Sequence, residues 1–212
     1  MSTAPRRALV VIDVQNEYVT GNLPIEHPPI EQTLPNIGRA MDAARAAGIP
    51  VVVVQHSAPA ASPLFAKGSP GWELHATVAS RPRDHLIEKM WPSVYTGTDF
   101  ADWLERHEID TLVIAGYMTH NCDVSTVIHA VHLGLEAEFL ADASGALPYA
   151  NRAGSASAEE IHRAFTVVLQ SNFAAVLNTS EWIAALAGGA APARDNILVS
   201  NRRARAQAAA VA

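Results

Sequence analysis

Thr111-Leu-Val-Ile-Ala-Gly-Tyr-Met-Thr-His-Asn-Cys122 is the stretch from which the rest of the chain is read. Leu112 to Ala115 is a short apolar run, rich in β-branched residues and bounded by Gly116, which is the pattern of a strand buried on both faces of a sheet. After Cys122 the apolar positions fall at Val124, Val127, Ile128, Val131 and Leu135, which is helical spacing. Asn121 is a good N-cap, so Cys122 is expected in the first helical turn, where unpaired amides and the helix dipole favour a thiolate. The carboxylate of Asp123 opposes a second anion, so such a thiol calls for a nearby cation.

Working outward, Ala8 to Val14 reads as a first buried strand and Val51 to Val54 as a second, with a helix between them carried by Ile30, Leu34, Ile37, Met41 and Ala44. Leu86 to Met90 reads as a short edge strand. Thr98 is expected to cap a helix that buries Phe100, Trp103, Leu104 and His107. A strand at Ala137 to Ala141 follows the Cys122 helix. Ser157 and Glu160 form a capping-box pair for a helix burying Ile161, Phe165 and Val168, and Phe173 to Leu177 and Glu181 to Leu186 supply a last strand and helix. This alternation predicts an α/β fold, a single-domain three-layer α/β/α sandwich around a mainly parallel sheet of about six strands. The domain is expected over residues 1–187, with 188–212 as an Ala- and Arg-rich C-terminal tail that packs on a neighbouring subunit.

Composition narrows the function classes. The chain has 212 residues, 49% apolar and 17% charged, enough for one full core. Its formal net charge of -6 argues against nucleic acid, and no apolar run approaches the roughly 20 residues of a membrane helix. The arginines at 202, 203 and 205 read as a solvated tail. Cys122 is the only cysteine, which excludes an internal disulfide and is compatible with a cytoplasmic location. A lone cysteine is also commonly an inert apolar filler, so its surroundings decide its role.

Those surroundings include Asp13, at the end of the first strand in Val-Val-Ile-Asp-Val-Gln-Asn, and Lys89, at the end of the third in Ile-Glu-Lys-Met-Trp. Parallel strands bring their carboxyl ends to one side, so an acid, a cation and a thiol converge there. By residue type alone, an Asp after a strand is commonly a turn residue and a strand-end lysine is commonly solvated.

At these positions the chain resembles the isochorismatase-like cysteine hydrolases, the family that includes nicotinamidase and N-carbamoylsarcosine amidase. The Asp13-Val-Gln-Asn16 turn, the Lys89 segment with Tyr95-Thr-Gly97, and Gly116-Tyr-Met-Thr-His-Asn-Cys122 match the family's three signature regions in order. The resemblance runs from about Ala8 to Leu186. It implies a cysteine hydrolase with a catalytic triad, an amidohydrolase that cleaves a non-peptide C–N bond of a small amide, carbamoyl (ureido) or lactam substrate through a thioester. Asp13 would be the general base and then acid, Lys89 the cation that holds it, and Cys122 the nucleophile. It further implies a cis peptide at Tyr117–Met118, and the backbone N–H groups of Met118 and Cys122 as the oxyanion hole.

Nicotinamidases carry an Asp-x-His metal motif after the second strand, where this chain has Gln55-His56-Ser57, so no metal and no cofactor are expected. His129 and His132, three apart on a helix, read as structural. Tyr18, Trp91 and Tyr117 are the expected aromatic walls of the substrate pocket, with the Pro-, Gly- and Ser-rich loop from Ser57 to Arg83 setting specificity. The expected partners are a small-molecule substrate and further copies of the chain, as a homo-oligomer (dimer or tetramer). Two other readings stand beside the amidohydrolase: a vinyl ether or ester hydrolase in which Asp13 protonates substrate, and a non-catalytic oligomeric binding protein.

Overall fold

Along the first strand, Leu9 and Val11 enter one hydrophobic cluster while Ala8, Val10 and Ile12 enter another, and all five are buried. A strand with both faces covered needs a layer of helices on each side. The computed structural model, which describes residues 4–188 and 192–211, supplies them. The strands are β1 (Arg7–Ile12), β2 (Val51–His56), β3 (His85–Lys89), β4 (Thr111–Tyr117) and β5 (Glu136–Gly145), then a separate antiparallel hairpin, β6 (Tyr149–Asn151) with β7 (Gly154–Ala156), and finally β8 (Ala175–Leu177). The central sheet runs β3-β2-β1-β4-β5-β8 with every pair parallel.

The helices are α1 (Ile30–Ala46), α2 (Ala76–Ala79), α3 (Phe100–Arg106), α4 (Val124–His132), α5 (Ala158–Val168), α6 (Thr179–Gly188) and α7 (Ile197–Val211). Ile37, Ala40 and Met41 of α1 and Trp182 of α6 pack on one face of the sheet. Phe100 and Leu104 of α3 and Val127 and Ala130 of α4 pack on the other. The architecture is the three-layer α/β/α sandwich that the alternation predicts, with a sheet of six parallel strands. No helix of the described residues is long and apolar enough to cross a membrane.

Several boundaries differ from the sequence reading for identifiable reasons. β1 stops at Ile12 rather than Val14 because Asp13 takes a left-handed backbone, φ 51°, which a short polar side chain tolerates and an extended strand excludes. Thr119–Asp123 forms a π-helical turn closed by the Asp123 amide donating to the Met118 carbonyl at 3.2 Å. Asn121 therefore lies inside that turn and caps nothing, and α4 begins only at Val124. A second π-helical turn, Leu169–Phe173, rotates the chain after α5, so Leu169 is buried and Val168 is 49% exposed. The Ser157–Glu160 capping box is present. His107 ends α3 on the surface, its ring stacked on Trp103, instead of joining the buried face. The Ser57–Arg83 loop contains the short α2, and the β6–β7 hairpin had no counterpart in the sequence reading. The expected tail is largely the helix α7, with Arg202, Arg203 and Arg205 exposed on it.

Candidate active site

β1 and β4 lie side by side although β2 and β3 separate them in the chain, so the strand order reverses between them. In open α/β sheets ligands bind in the crevice beyond the carboxyl ends of the strands at such a switch point. Asp13 follows β1 and Cys122 follows β4 across this crevice, while Lys89 ends the edge strand β3. Gly116 makes the close approach possible. Its φ is 118°, and a Cβ there would lie 2.1 Å from the Ile12 carbonyl oxygen. The next peptide but one, Tyr117–Met118, is cis.

The three side chains meet. Lys89 Nζ donates to Asp13 Oδ2 at 2.6 Å and to Cys122 Sγ at 3.3 Å. The Lys89 and Asp13 side chains are fully shielded from solvent. Burial alone would lower the lysine's pKa, but the Asp13 carboxylate foremost, together with the contact to Cys122, outweighs it, and the net shift is upward. The ammonium is therefore a permanent charge in the site.

The thiol behaves otherwise than a helix-start cysteine would. Burial, followed by the Asp13 carboxylate, pushes the Cys122 pKa well up, and Lys89 only partly opposes this. Cys122 rests as a neutral thiol, which corrects the expectation of a depressed pKa. The expected conflict with Asp123 is also resolved differently. Asp123 is fully buried, and burial and then Asp13 raise its pKa to about 8 against the weaker opposing effects of the Ser144 hydroxyl and Lys89. Asp123 is mostly uncharged near neutrality, and Lys89 answers Asp13 instead.

A cavity of about 340 Å³ opens onto Cys122. Leu23, Leu64, Phe65, Met90, Pro92 and Met118 give it apolar walls, and Tyr18, His56, Ser62 and Asn121 contribute polar atoms. A second cavity of about 320 Å³, at the amino end of the sheet by Thr111, Glu138 and Arg194, contains no nucleophile. The chemistry places the candidate site at the former.

Of the aromatic residues expected in the wall, only Tyr18 is there, 5.0 Å from the Phe65 ring. Tyr117 is completely buried beneath the site, its hydroxyl 2.6 Å from Thr33 Oγ1. Trp91 is 62% exposed and turned away, and its neighbours Met90 and Pro92 face the cavity instead. Proximity in sequence to Lys89 did not determine side-chain direction.

Phe65 belongs to the loop expected to set specificity and does line the cavity, whereas sequence reasoning missed His56 and Asn121 as lining residues. His56 is the last residue of β2, between the strands that carry Asp13 and Lys89, so strand order was the available signal. Burial lowers its pKa, and its Nδ1 is buried without a partner. The long loop is fastened to this corner by Gln15. Its amide nitrogen donates to the His56 and Trp72 carbonyls, and its amide oxygen accepts from the His56 amide. On the other rim His120, held neutral by burial with a pKa of about 4, lies 3.0 Å from the Tyr149 hydroxyl of the hairpin.

Among the described residues no three of His, Cys, Asp and Glu gather in a way that would hold a metal ion. His129 Nδ1 lies 3.1 Å from Ser93 Oγ, and His132 is exposed.

The isochorismatase domain model matches residues 7–181. A solved structure of a Burkholderia xenovorans LB400 protein assigned to the isochorismatases superposes with a TM-score of 0.96 at 66% identity, covering 98% of this chain and 100% of that one. The secreted isochorismatase effector Isc1 of Verticillium dahliae is 33% identical over 65% of this chain and 71% of its own length. The ureidoacrylate amidohydrolase of Pseudomonas syringae pv. syringae is 31% identical, with 65% of this chain and 69% of that protein covered. The chain is an enzyme of the hydrolase type, and it belongs to the isochorismatase family.

Proposed function

We propose that the chain is a metal-independent cysteine hydrolase that cleaves a C–N bond of a small amide, carbamoyl or lactam compound through a thioester. The observation that carries this reading is the single ammonium of Lys89 touching both the Asp13 carboxylate and the Cys122 thiol, with the Lys89 and Asp13 side chains shielded from solvent. Similarity to the ureidoacrylate amidohydrolase supports C–N chemistry.

At rest the buried site holds Asp13, Lys89 and a neutral thiol. Moving the thiol proton to Asp13 leaves a thiolate beside the lysine and a neutral acid, so the net charge of the site does not change. A transfer of that kind avoids the large desolvation cost of creating a new buried charge. The thiolate attacks the substrate carbonyl, and the oxyanion is received by the Met118 and Cys122 N–H groups. Asp13 returns its proton to the departing nitrogen as the C–N bond breaks. Water, activated by the same carboxylate, then hydrolyses the thioester and restores the thiol.

A screen of small amides, ureido compounds and lactams for release of ammonia or amine tests the reaction. Turnover should persist with chelator present and be abolished in Cys122→Ala and Asp13→Asn. A vinyl ether or ester hydrolase using Asp13 alone would instead survive thiol alkylation.

A further inference from the structure

The walls above Cys122 also bear on what the substrate carries away from its scissile bond. Leu23, Leu64, Phe65, Met90 and Pro92 are apolar, and no lysine or arginine lines the cavity among the described residues. The one cation beneath it, Lys89, is committed to Asp13 and Cys122. Lys67, the lysine of the covering loop, is turned to Glu88, with Nζ 2.7 Å from Oε1. The polar side chains of His56, Ser62 and Asn121 that line the cavity bring no fixed positive charge: Ser62 is bonded to the Leu64 backbone, and burial holds His56 toward its neutral form.

Beneath the floor lie two carboxyl groups, Asp13 and Asp123, and, among the described residues, one ammonium. A substrate carboxylate entering this space would lose its water and find no cation to replace it. Hydrogen bonds to charged groups contribute about 1.5–3 kcal/mol, or roughly 10- to 150-fold in affinity, and here that contribution is missing.

We infer that the site selects uncharged substrates: a small amide, ureido or lactam compound whose non-reacting part is apolar and bears no carboxylate. His56 and Asn121 provide neutral hydrogen-bonding groups beside that part. This rests on the nucleophile assignment made above, and the test separates the two.

The probes are two thiol reagents with one reactive group, N-benzyl-2-iodoacetamide and its 4-carboxybenzyl analogue. Alkylation of Cys122 in the full chain is followed by intact-mass spectrometry, and each rate is divided by that of glutathione with the same reagent. The neutral reagent should be favoured at least about tenfold after this correction. Met90→Arg, which places a guanidinium at a rim position that is 63% exposed, should shrink that preference several-fold. Equal or reversed corrected rates in the unmodified protein overturn the neutral-substrate inference while leaving the nucleophile in place. Failure of both reagents to modify Cys122 even at alkaline pH, where the raised thiol ionises, overturns the nucleophile assignment and the inference together.

Discussion

Cys122, Asp13 and Lys89 form a site in which a thiol is stored with its proton on. A thiolate made permanent by a helix terminus would react at neutral pH with whatever enters, whereas a thiol whose pKa is raised by burial and by Asp13 ionises when a bound carbonyl is ready to accept it. Alkylation of Cys122 by iodoacetamide in the free protein should therefore keep accelerating with pH beyond the ordinary thiol range. A plateau near neutrality would contradict this. Asp123 gives a separate pH signature. Its folded pKa of about 8 lies above an unfolded value of about 3.9, so the folded state holds the extra proton between them. Stability from this group is fully present below the unfolded value and is lost as pH rises towards 8. In denaturant titrations across that window, Asp123→Asn should flatten the decline. The positions of the three site residues were legible because each follows directly from a strand end. The thiol's protonation was not, because it depends on how completely distant segments bury it.

At the scale of elements, the strands and long helices could be read from periodicity, since a buried face imposes its spacing on the sequence. The π-helical turns at Thr119–Asp123 and Leu169–Phe173 could not, because one inserted residue leaves no periodic mark in so short a segment. The three-residue strands of the hairpin escaped for the same reason of length, and Tyr149 at the rim went with them. Trp91 was misplaced because the edge strand ends there and the direction of its side chain depends on the turn that follows. Gln15 is the element-scale fastener, with a fully buried amide that closes the end of β2 and ties down Trp72. Gln15→Leu leaves buried backbone groups unpaired and should cost roughly 1–3 kcal/mol. Amide exchange should accelerate in the 57–75 segment before it does in the sheet, and KM should rise more than kcat falls.

Over the whole molecule, the sheet has an ion-paired group at each end, with different uses. At the amino end Arg7 bonds Glu138 at 2.7 Å, and Trp182 donates to the same carboxylate at 2.8 Å, joining β1, β5 and α6. At the carboxyl end Lys89 bonds both Asp13 and the Cys122 thiol. Arg194 reaches Glu136 at 3.2 Å and the Asp195 amide donates to Gln170, while Ile197, Leu198 and Val199 stay 42–62% exposed on α7. An exposed apolar turn on a helix tied to its own domain is what a contact with a second copy requires. We propose that α7 takes part in such a contact: truncation after Gly188 should lower the number of chains per particle measured by light scattering, and an unchanged number would assign α7 to the single chain alone.

The most direct measurement is mass spectrometry of the Cys122 peptide during turnover of an amide found in the ammonia-release screen. Rapid quenching should reveal the acyl group of the substrate on Cys122, formed with a burst of ammonia or amine and absent in Cys122→Ala, which should have no turnover. Full turnover by Cys122→Ala, with no acylated peptide at any time in the unmodified enzyme, would contradict the nucleophilic role of Cys122.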